Sequence, residues 1–472
     1  MRAALLQVGM RNHLSSWGPH RFGLPFLRSS GIPDQEQKSL TGKGRRFRLI
    51  SKPRKDIGTY EVSWGCTCGS DFIFPGETQS AFLNPYRSML KSNIQLNVFA
   101  LVAAAFTTIY ITQPVLPVLQ AEFHTTEARA SLTIAAVILG ISLANLPFGM
   151  LVDRFSIRPI IAVGGFVIGG CGFFCAATGS LNGLIIARFL QGLFIPALTT
   201  CLAAFLSQNL PKERLNVVMG SYVAATVAGG LGGRLLGGLI HPPLHWRYAF
   251  VSASVFLWIV TWMAARYLPA PQKRAAAVDV PVGFLRLLTS LPVLRIFLVA
   301  FGSFFVFSSV FNFLPFYLAG PPFHAPTRTI TFLYLSYVMG IVIGPLSGKL
   351  SNRLGNGVCM VLGAGVFALA LMLTRIPSIA VIAISLFGVC AGFFTIHSAA
   401  AGLLNRRLSS GHGRANSLYV LFYYLGGYTG ITSSGHCYTR MGWLGVLLLC
   451  LSMLLVPLMV GVVEIRTNRM VR

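Results

Sequence analysis

Residues 130–158 read Ala130-Ser-Leu-Thr-Ile-Ala-Ala-Val-Ile-Leu-Gly140-Ile-Ser-Leu-Ala-Asn-Leu-Pro-Phe-Gly149-Met-Leu-Val-Asp153-Arg154-Phe-Ser-Ile-Arg158. Positions 130–152 carry no Asp, Glu, Lys or Arg, and three charges follow within the next six positions. As a helix this uncharged run covers about 35 Å, slightly more than the hydrocarbon thickness of a bilayer. It therefore reads as one membrane crossing ending in a polar loop. The same pattern recurs along the chain at 92–121, 159–187, 189–211, 248–265, 296–327, 329–348, 354–374, 376–405, 415–439 and 441–463. One more interval, 215–246, is interrupted only by Arg234, which brings the expected spans to twelve.

Composition agrees. The chain is 54% hydrophobic and 11% charged, where soluble domains are about one-quarter charged. The net charge of +26 raises the question of nucleic acid, but the distribution of the charge answers it. If both ends lie in the cytoplasm, the inside loops and last tail hold seventeen Lys and Arg, Arg154, Arg158, Arg353, Arg406 and Arg407 among them. The outside loops hold five: Arg129, Arg247, Arg328, Arg375 and Arg440. That bias is the positive-inside rule, and it places both termini in the cytoplasm. The nine cysteines follow no metal or disulfide spacing, so neither a metal nor a cofactor is expected.

Residues 1–90 stand apart. They are Arg-rich, hold half of the acids and contain no credible span, so a disordered extension, a targeting segment and upstream sequence before a start at Met89 are the competing readings. The remainder divides into 91–268, a linker at 269–292, 293–466 and a short tail at 467–472. The two six-span halves echo each other. Gly149-Met-Leu-Val-Asp153-Arg154 returns as Gly348-Lys-Leu-Ser-Asn352-Arg353, Leu190-Gln-Gly-Leu-Phe194 as Cys390-Ala-Gly-Phe-Phe394, and Trp246 as Trp443. The near-constant offset implies two parallel six-helix bundles around a central cavity.

Three motifs sharpen the reading. The loop Gly149-Met-Leu-Val-Asp153-Arg154-Phe-Ser-Ile-Arg158 resembles the signature loop G-x-L-x-D-R-x-G-R-[KR] of the major facilitator superfamily, with Ser156 and Ile157 as departures. Leu184-Ile-Ile-Ala-Arg188-Phe-Leu-Gln191-Gly192 is similar to that family's fourth-span pattern, L-x-x-x-R-x-x-Q-G. The glycine series Gly229-Gly230-Leu-Gly232-Gly233-Arg234-Leu-Leu-Gly237-Gly238 resembles its antiporter motif loosely, and its G-R-L-x-x-G ending looks like the branch around the YnfM-type acriflavin-sensitivity carriers.

The resemblance implies an all-α, twelve-span fold working by alternating access, most simply a proton-coupled exporter of drug- or sugar-like compounds in the bacterial inner membrane. An importer or facilitator of a metabolite, and a membrane adaptor that transports nothing, are the alternatives; an enzyme is not expected. By resemblance, Gly149, Asp153, Arg154 and Arg158, with Asn352 and Arg353 in the second half, form a cytoplasmic gate. Arg188, Gln191 and Gly192 serve either coupling or the joining of span 4 to span 1. An ionisable side chain inside a span is costly enough to require a partner or a cavity, which singles out Arg234 and His397. All acids lie in the tail or loops, so a specifically cationic substrate is disfavoured. Tyr110, Gln113, Asn312, Tyr419 and Tyr423 are candidates to line a midplane pocket. The expected partners are a small-molecule substrate, a proton and the lipid bilayer around a monomer.

Overall fold

The computed structural model describes residues 39–42, 45–53, 60–66, 85–209, 212–268, 283–408 and 410–471. The expectation for residues 1–90 falls mostly outside this set. What is described there is an antiparallel three-stranded meander, β1 (Ser39–Gly42), β2 (Arg45–Pro53) and β3 (Tyr60–Cys66), with Gly42 opposite Arg45 and Pro53 opposite Tyr60. It belongs to a compact unit separate from residues 85–472.

The second unit is all helix. Its apolar segments are α1 (Gln95–Glu122), α2 (Glu127–Val152), α3 (Ile157–Ala177), α4 (Leu181–Ser207), α5 (Val218–Ile240), α6 (Arg247–Tyr267), α7 (Leu291–Ala319), α8 (Thr327–Leu354), α9 (Asn356–Leu373), α10 (Ile379–Arg407) and a last segment, His412–Thr467. A straight helix of that last length would reach about 84 Å, nearly three bilayer thicknesses. It is broken at Gly442, whose φ of 59° and ψ of −146° no helix contains. The pieces before and after Gly442 are α11 and α12, giving twelve crossings. Side chains such as Leu143, Phe174, Ile186, Trp262, Leu369, Met372 and Ile384 stand exposed on the bundle's outside, a surface suited to lipid tails rather than water.

Side-chain hydroxyls start two of the helices, Thr126 accepting from the Arg129 N–H and Ser180 from that of Gly183. The helices that matter most for function are broken. The first part of α1 stops at Tyr110, ahead of Pro114, and a 3₁₀ turn at Gln113–Val115 leads into Leu116–Glu122. Helix α8 contains a 3₁₀ turn at Tyr334–Val338.

Small residues set the spacing between helices. A Cβ added at Gly229, Gly233 or Gly237 of α5 would fall 2.3, 2.1 or 1.9 Å from the carbonyl oxygens of Ala103, Thr107 and Ile111 of α1. In the second half, Gly426 and Gly430 of α11 meet the carbonyls of Phe301 and Phe305 of α7 in the same way, at 2.1 and 2.4 Å. Bulk at these positions would force the paired helices apart. The glycines of the two seams are offset by the interval that relates Trp246 to Trp443, and the carbonyls they meet by one residue more.

The halves meet through α2 against α11 and α5 against α8. Ends are named from the chain: α1 begins and α12 finishes at the basal end, and the other end is distal. Distally, Gly435 of α11 packs on Ala128 of α2, and Gly238 of α5 on Thr331 of α8. Towards the basal end, Asn145 donates to the Ser417 carbonyl and Ser142 to that of Leu421, both at 3.3 Å, so α2 and α11 remain joined. A Cβ added at Gly220 of α5, or at Gly344 or Gly348 of α8, would meet nothing within 4 Å.

Candidate functional site

Among the described residues two arginines lie buried inside the first half, Arg188 and Arg234, and their surroundings differ. Arg188 of α4 is fully buried. Its Nε donates to the Thr133 carbonyl at 3.0 Å, and one Nη to the Thr108 carbonyl at 2.6 Å and to Gln191 Oε1 at 2.8 Å. The other Nη donates to the Ile109 carbonyl. Thr108 and Ile109 sit in the last turn of the first part of α1, where helix carbonyls lose their intrahelical partners. The break in α1 thus exposes acceptors, and Arg188 caps them. Gln191 extends the network by donating to the Ile168 carbonyl of α3 at 3.0 Å. Gly192 lets α4 touch α2, since a Cβ there would fall 2.2 Å from the Val137 carbonyl oxygen. The Arg188 set therefore ties spans 1, 2, 3 and 4 together.

Arg234 of α5 is 1% exposed and has no such ring of carbonyls. Its Nε donates to Gln113 Oε1, one Nη to the Gly230 carbonyl and the other to the Tyr337 hydroxyl, each at 2.7 Å. The guanidinium lies 3.9 Å from the ring centres of both Tyr110 and Tyr337, and 5.4 Å from that of Tyr334. Gln113 comes from the break in α1, and Tyr334 and Tyr337 come from the 3₁₀ turn in α8. Both irregular segments converge on this one cation, and the two halves of the protein share it. Among the described residues no carboxylate pairs with it.

From Arg234 a chain of rings crosses the second half. Tyr337 meets Phe307 with centroids 5.2 Å apart, Phe307 stacks on Phe393 at 3.9 Å, and Phe393 reaches His397 at 5.8 Å. Phe304 stacks on Tyr423 at 3.8 Å, and Tyr423 lies 5.1 Å from His397. The Tyr419 hydroxyl is 3.0 Å from His397 Nδ1 and 3.3 Å from its carbonyl oxygen. Tyr110 and Tyr424 touch both of the protein's buried clusters, so they sit where the clusters meet. The candidates Tyr110, Gln113, Arg234, His397, Tyr419 and Tyr423 therefore belong to one connected set. Asn312 does not join it: it is fully buried in α7, and among the described residues neither amide atom finds a hydrogen-bond partner.

The gate candidates lie at the basal end. Asp153's side chain lies outside the described residues. Arg154 is exposed, and Arg158 donates through Nε to the Leu268 carbonyl at the end of α6. Gly149 approaches α11, its added Cβ falling 3.8 Å from Ser417 Oγ. Ser156, at the usual glycine position, has an ordinary extended backbone with φ of −67°, whereas its counterpart Gly355 has φ of 91° and does require glycine. In the second half, Arg406 donates to Asn352 Oδ1, and Arg407 pairs with Glu464. These residues and Arg353 border an open cleft of about 730 Å³. At the distal end Glu122 accepts from Trp246 Nε1 and pairs with Arg247 at 3.2 Å.

Sequence reasoning missed Tyr334, Tyr337, Phe304, Phe307 and Phe393. An aromatic residue in an apolar span carries no mark that separates cavity from packing. The Arg407–Glu464 pair was also missed, because it joins the ends of α10 and α12, which are far apart in sequence.

A twelve-helix bundle with broken helices converging on a buried cation shared by two related halves is the architecture of a polytopic membrane transporter. The sequence profile of the Major Facilitator Superfamily matches residues 98–431, and the chain belongs to that family. The inner membrane transport protein YnfM of Escherichia coli K12 is 28% identical over 374 residues, 78% of this chain and 89% of that protein. The MFS-type transporter YybF of Bacillus subtilis 168 is 26% identical over 372 residues, covering 76% and 91%. The crystal structure of a bacterial homologue of the human lysosomal transporter Spinster, inward-facing and unoccupied, superimposes with a TM-score of 0.63 at 15% identity, covering 82% of this chain and 98% of that one. That likeness speaks for the fold alone.

Proposed function

We propose that the protein is a secondary active carrier that exports small organic compounds in exchange for protons, by alternating access, as a monomer in the bacterial inner membrane with both termini in the cytoplasm. The observation that carries this reading is the set of rings and polar side chains from Tyr110 to His397, which draws on both halves. Around it the distal end is sealed on both flanks, by Gly238 against Thr331 and by Gly435 against Ala128. At the basal end α2 and α11 are joined by hydrogen bonds. Rocking the halves about such a seam would expose the set to each side in turn. The export direction rests on the resemblance of the α5 glycines to the antiporter motif. The orientation rests on the basic loops.

Proton exchange requires a titratable group within reach of the pocket. The described carboxylates Glu122, Glu127 and Glu464 lie at helix ends, which leaves His397, held by Tyr419, as the internal candidate. Purified protein in liposomes under an imposed pH gradient, offered dyes, sugars and organic acids, tests the reading. Gradient-driven movement of one class is expected. His397→Gln should remove the dependence on the gradient while leaving passive exchange. A Gly238→Cys/Thr331→Cys pair, oxidised, should stop transport until reduced. Undiminished transport by the cross-linked protein would refute alternating access.

A further inference from the structure

Resting on the carrier reading above, we infer that Arg234 is the anchor for an anionic group of the substrate, and that the compounds carried are monoanions with a flat apolar body. The argument starts from charge. A guanidinium cannot shed its proton at any ordinary pH, so Arg234 places a permanent positive charge inside the bundle. Arg188, equally buried, disperses its charge over three backbone carbonyls and an amide oxygen. Arg234 has one carbonyl, one amide oxygen and one hydroxyl, and no carboxylate among the described residues.

Geometry adds to this. A guanidinium has five N–H donors, and three hydrogen bonds are made. The Tyr110 and Tyr337 rings lie against it, each with its centre 3.9 Å from the guanidinium carbon. The N–H groups not engaged by Gln113, Gly230 and Tyr337, with those released when Gln113 and Tyr337 part, are donors of the kind that carboxylates and sulfonates accept in pairs. The Tyr337 hydroxyl already accepts from Arg234, and among the described residues nothing accepts its own hydrogen, so it is a further donor beside the guanidinium. The surroundings are donor-rich, and Phe307, Phe393 and Tyr423 continue the wall with aromatic faces onto which a flat apolar body stacks. Tightness of the resting cage does not argue against a ligand: Gln113 and Tyr337 come from opposite halves and from irregular turns, so rocking of the halves separates them and frees the fork.

The test uses 2-naphthalenesulfonate, ionised at every working pH, beside the neutral 2-naphthalenesulfonamide, with binding read from quenching of intrinsic fluorescence in detergent. Wild type should bind the sulfonate roughly tenfold or more tightly than the sulfonamide, the range for one charge-assisted pair. Arg234→Gln should abolish that preference, and Arg234→Lys, which keeps the charge but not the fork, should retain part of it. Equal binding of the two probes by wild type, or an unchanged sulfonate affinity in the Gln variant, overturns the assignment. If the Gln variant fails to fold, the Lys variant and the wild-type ratio decide. Flux in liposomes separates the two readings. Arg234-dependent binding without gradient-driven movement of any compound leaves the anion site standing and removes the exporter, whereas gradient-driven movement of neutral compounds with no preference for the sulfonate does the reverse.

Discussion

Arg188 and Arg234 are both fully enclosed arginines of the same six-helix half, yet one is bound almost entirely by backbone and the other by side chains. Arg188 sits where α1 breaks and takes up carbonyls that the break has orphaned. Those acceptors belong to the fold and cannot leave. Arg234 sits one helix away, between aromatic faces that belong to different halves. Its partners can separate when the halves move. The contrast teaches that burial of a charge does not by itself mark a binding site. What separates the two is whether the partners are backbone of one half or side chains drawn from both.

The sharpest way to break this comparison is to remove each guanidinium and measure thermal unfolding without ligand. Arg188→Ala leaves three buried carbonyls and the Gln191 amide oxygen without a donor. At about 1 kcal/mol or more for each of these four orphaned groups, the loss should be on the order of 4 kcal/mol, with Arg188→Lys recovering part of it. Arg234→Gln replaces an uncompensated buried charge with a neutral amide, so its midpoint should hold or rise. Equal losses in the two variants would erase the distinction between a clamp and an anchor.

The second test concerns the seam that holds α5, and with it Arg234, against α1. Gly233→Val pushes a side chain into the Thr107 carbonyl, 2.1 Å from where its Cβ would lie. Overpacking at such a contact costs about 1–3 kcal/mol. Gly220→Val, on the same helix but beside open space, should change the midpoint little, and indifference at both sites would mean that the helices are not in close contact. A smaller effect is expected at the basal end. Glu464→Gln turns the pair with Arg407 into a neutral contact, and because Arg407 is 26% exposed its charge can hydrate, so a loss of about 1 kcal/mol is expected.

How much of this was legible beforehand follows from what each residue type announces. Spans were legible because an ionisable side chain is costly in lipid, so charges mark the ends of helices almost wherever they occur. The turn at Gly442 falls beside Arg440, where the charge pattern ends the eleventh interval. The seam of α5 was legible in its glycines, whereas the matching seam of α11, through Gly426 and Gly430, was seen only in the structure. Arg188 showed itself as a buried charge, though its role in joining span 4 to span 1 was one of two readings. The partners of Arg234 were illegible. Tyr334 and Tyr337 lie in a run without Pro or Gly, Tyr334-Leu-Ser-Tyr337-Val, so nothing local marks the 3₁₀ turn there. Only the docking of α8 on α5 places these rings on the cation.

The repeat itself supplies the smallest and most discriminating test. Trp246 and Trp443 occupy equivalent places, each next to a helix start at the distal end and each nearly buried. Their indole N–H groups find different acceptors: Trp246 donates to the Glu122 carboxylate, Trp443 to the Thr374 hydroxyl at 3.0 Å. Replacing either by Phe removes the donor and keeps a ring, and at position 443 that ring can still stack on Tyr317, whose centroid is now 4.8 Å away. A hydrogen bond between neutral groups contributes about 1 kcal/mol, and one to a charged acceptor about twice that. Glu122, however, keeps Arg247 and His245 and is 29% exposed, so water and these cations replace part of what Trp246 gives. Trp443→Phe should therefore lower stability by about 1 kcal/mol, and Trp246→Phe by little more. A much larger loss for Trp246→Phe would mean that Glu122 depends on the indole rather than on Arg247, and that the two halves, alike in backbone, close their distal ends by different chemistry.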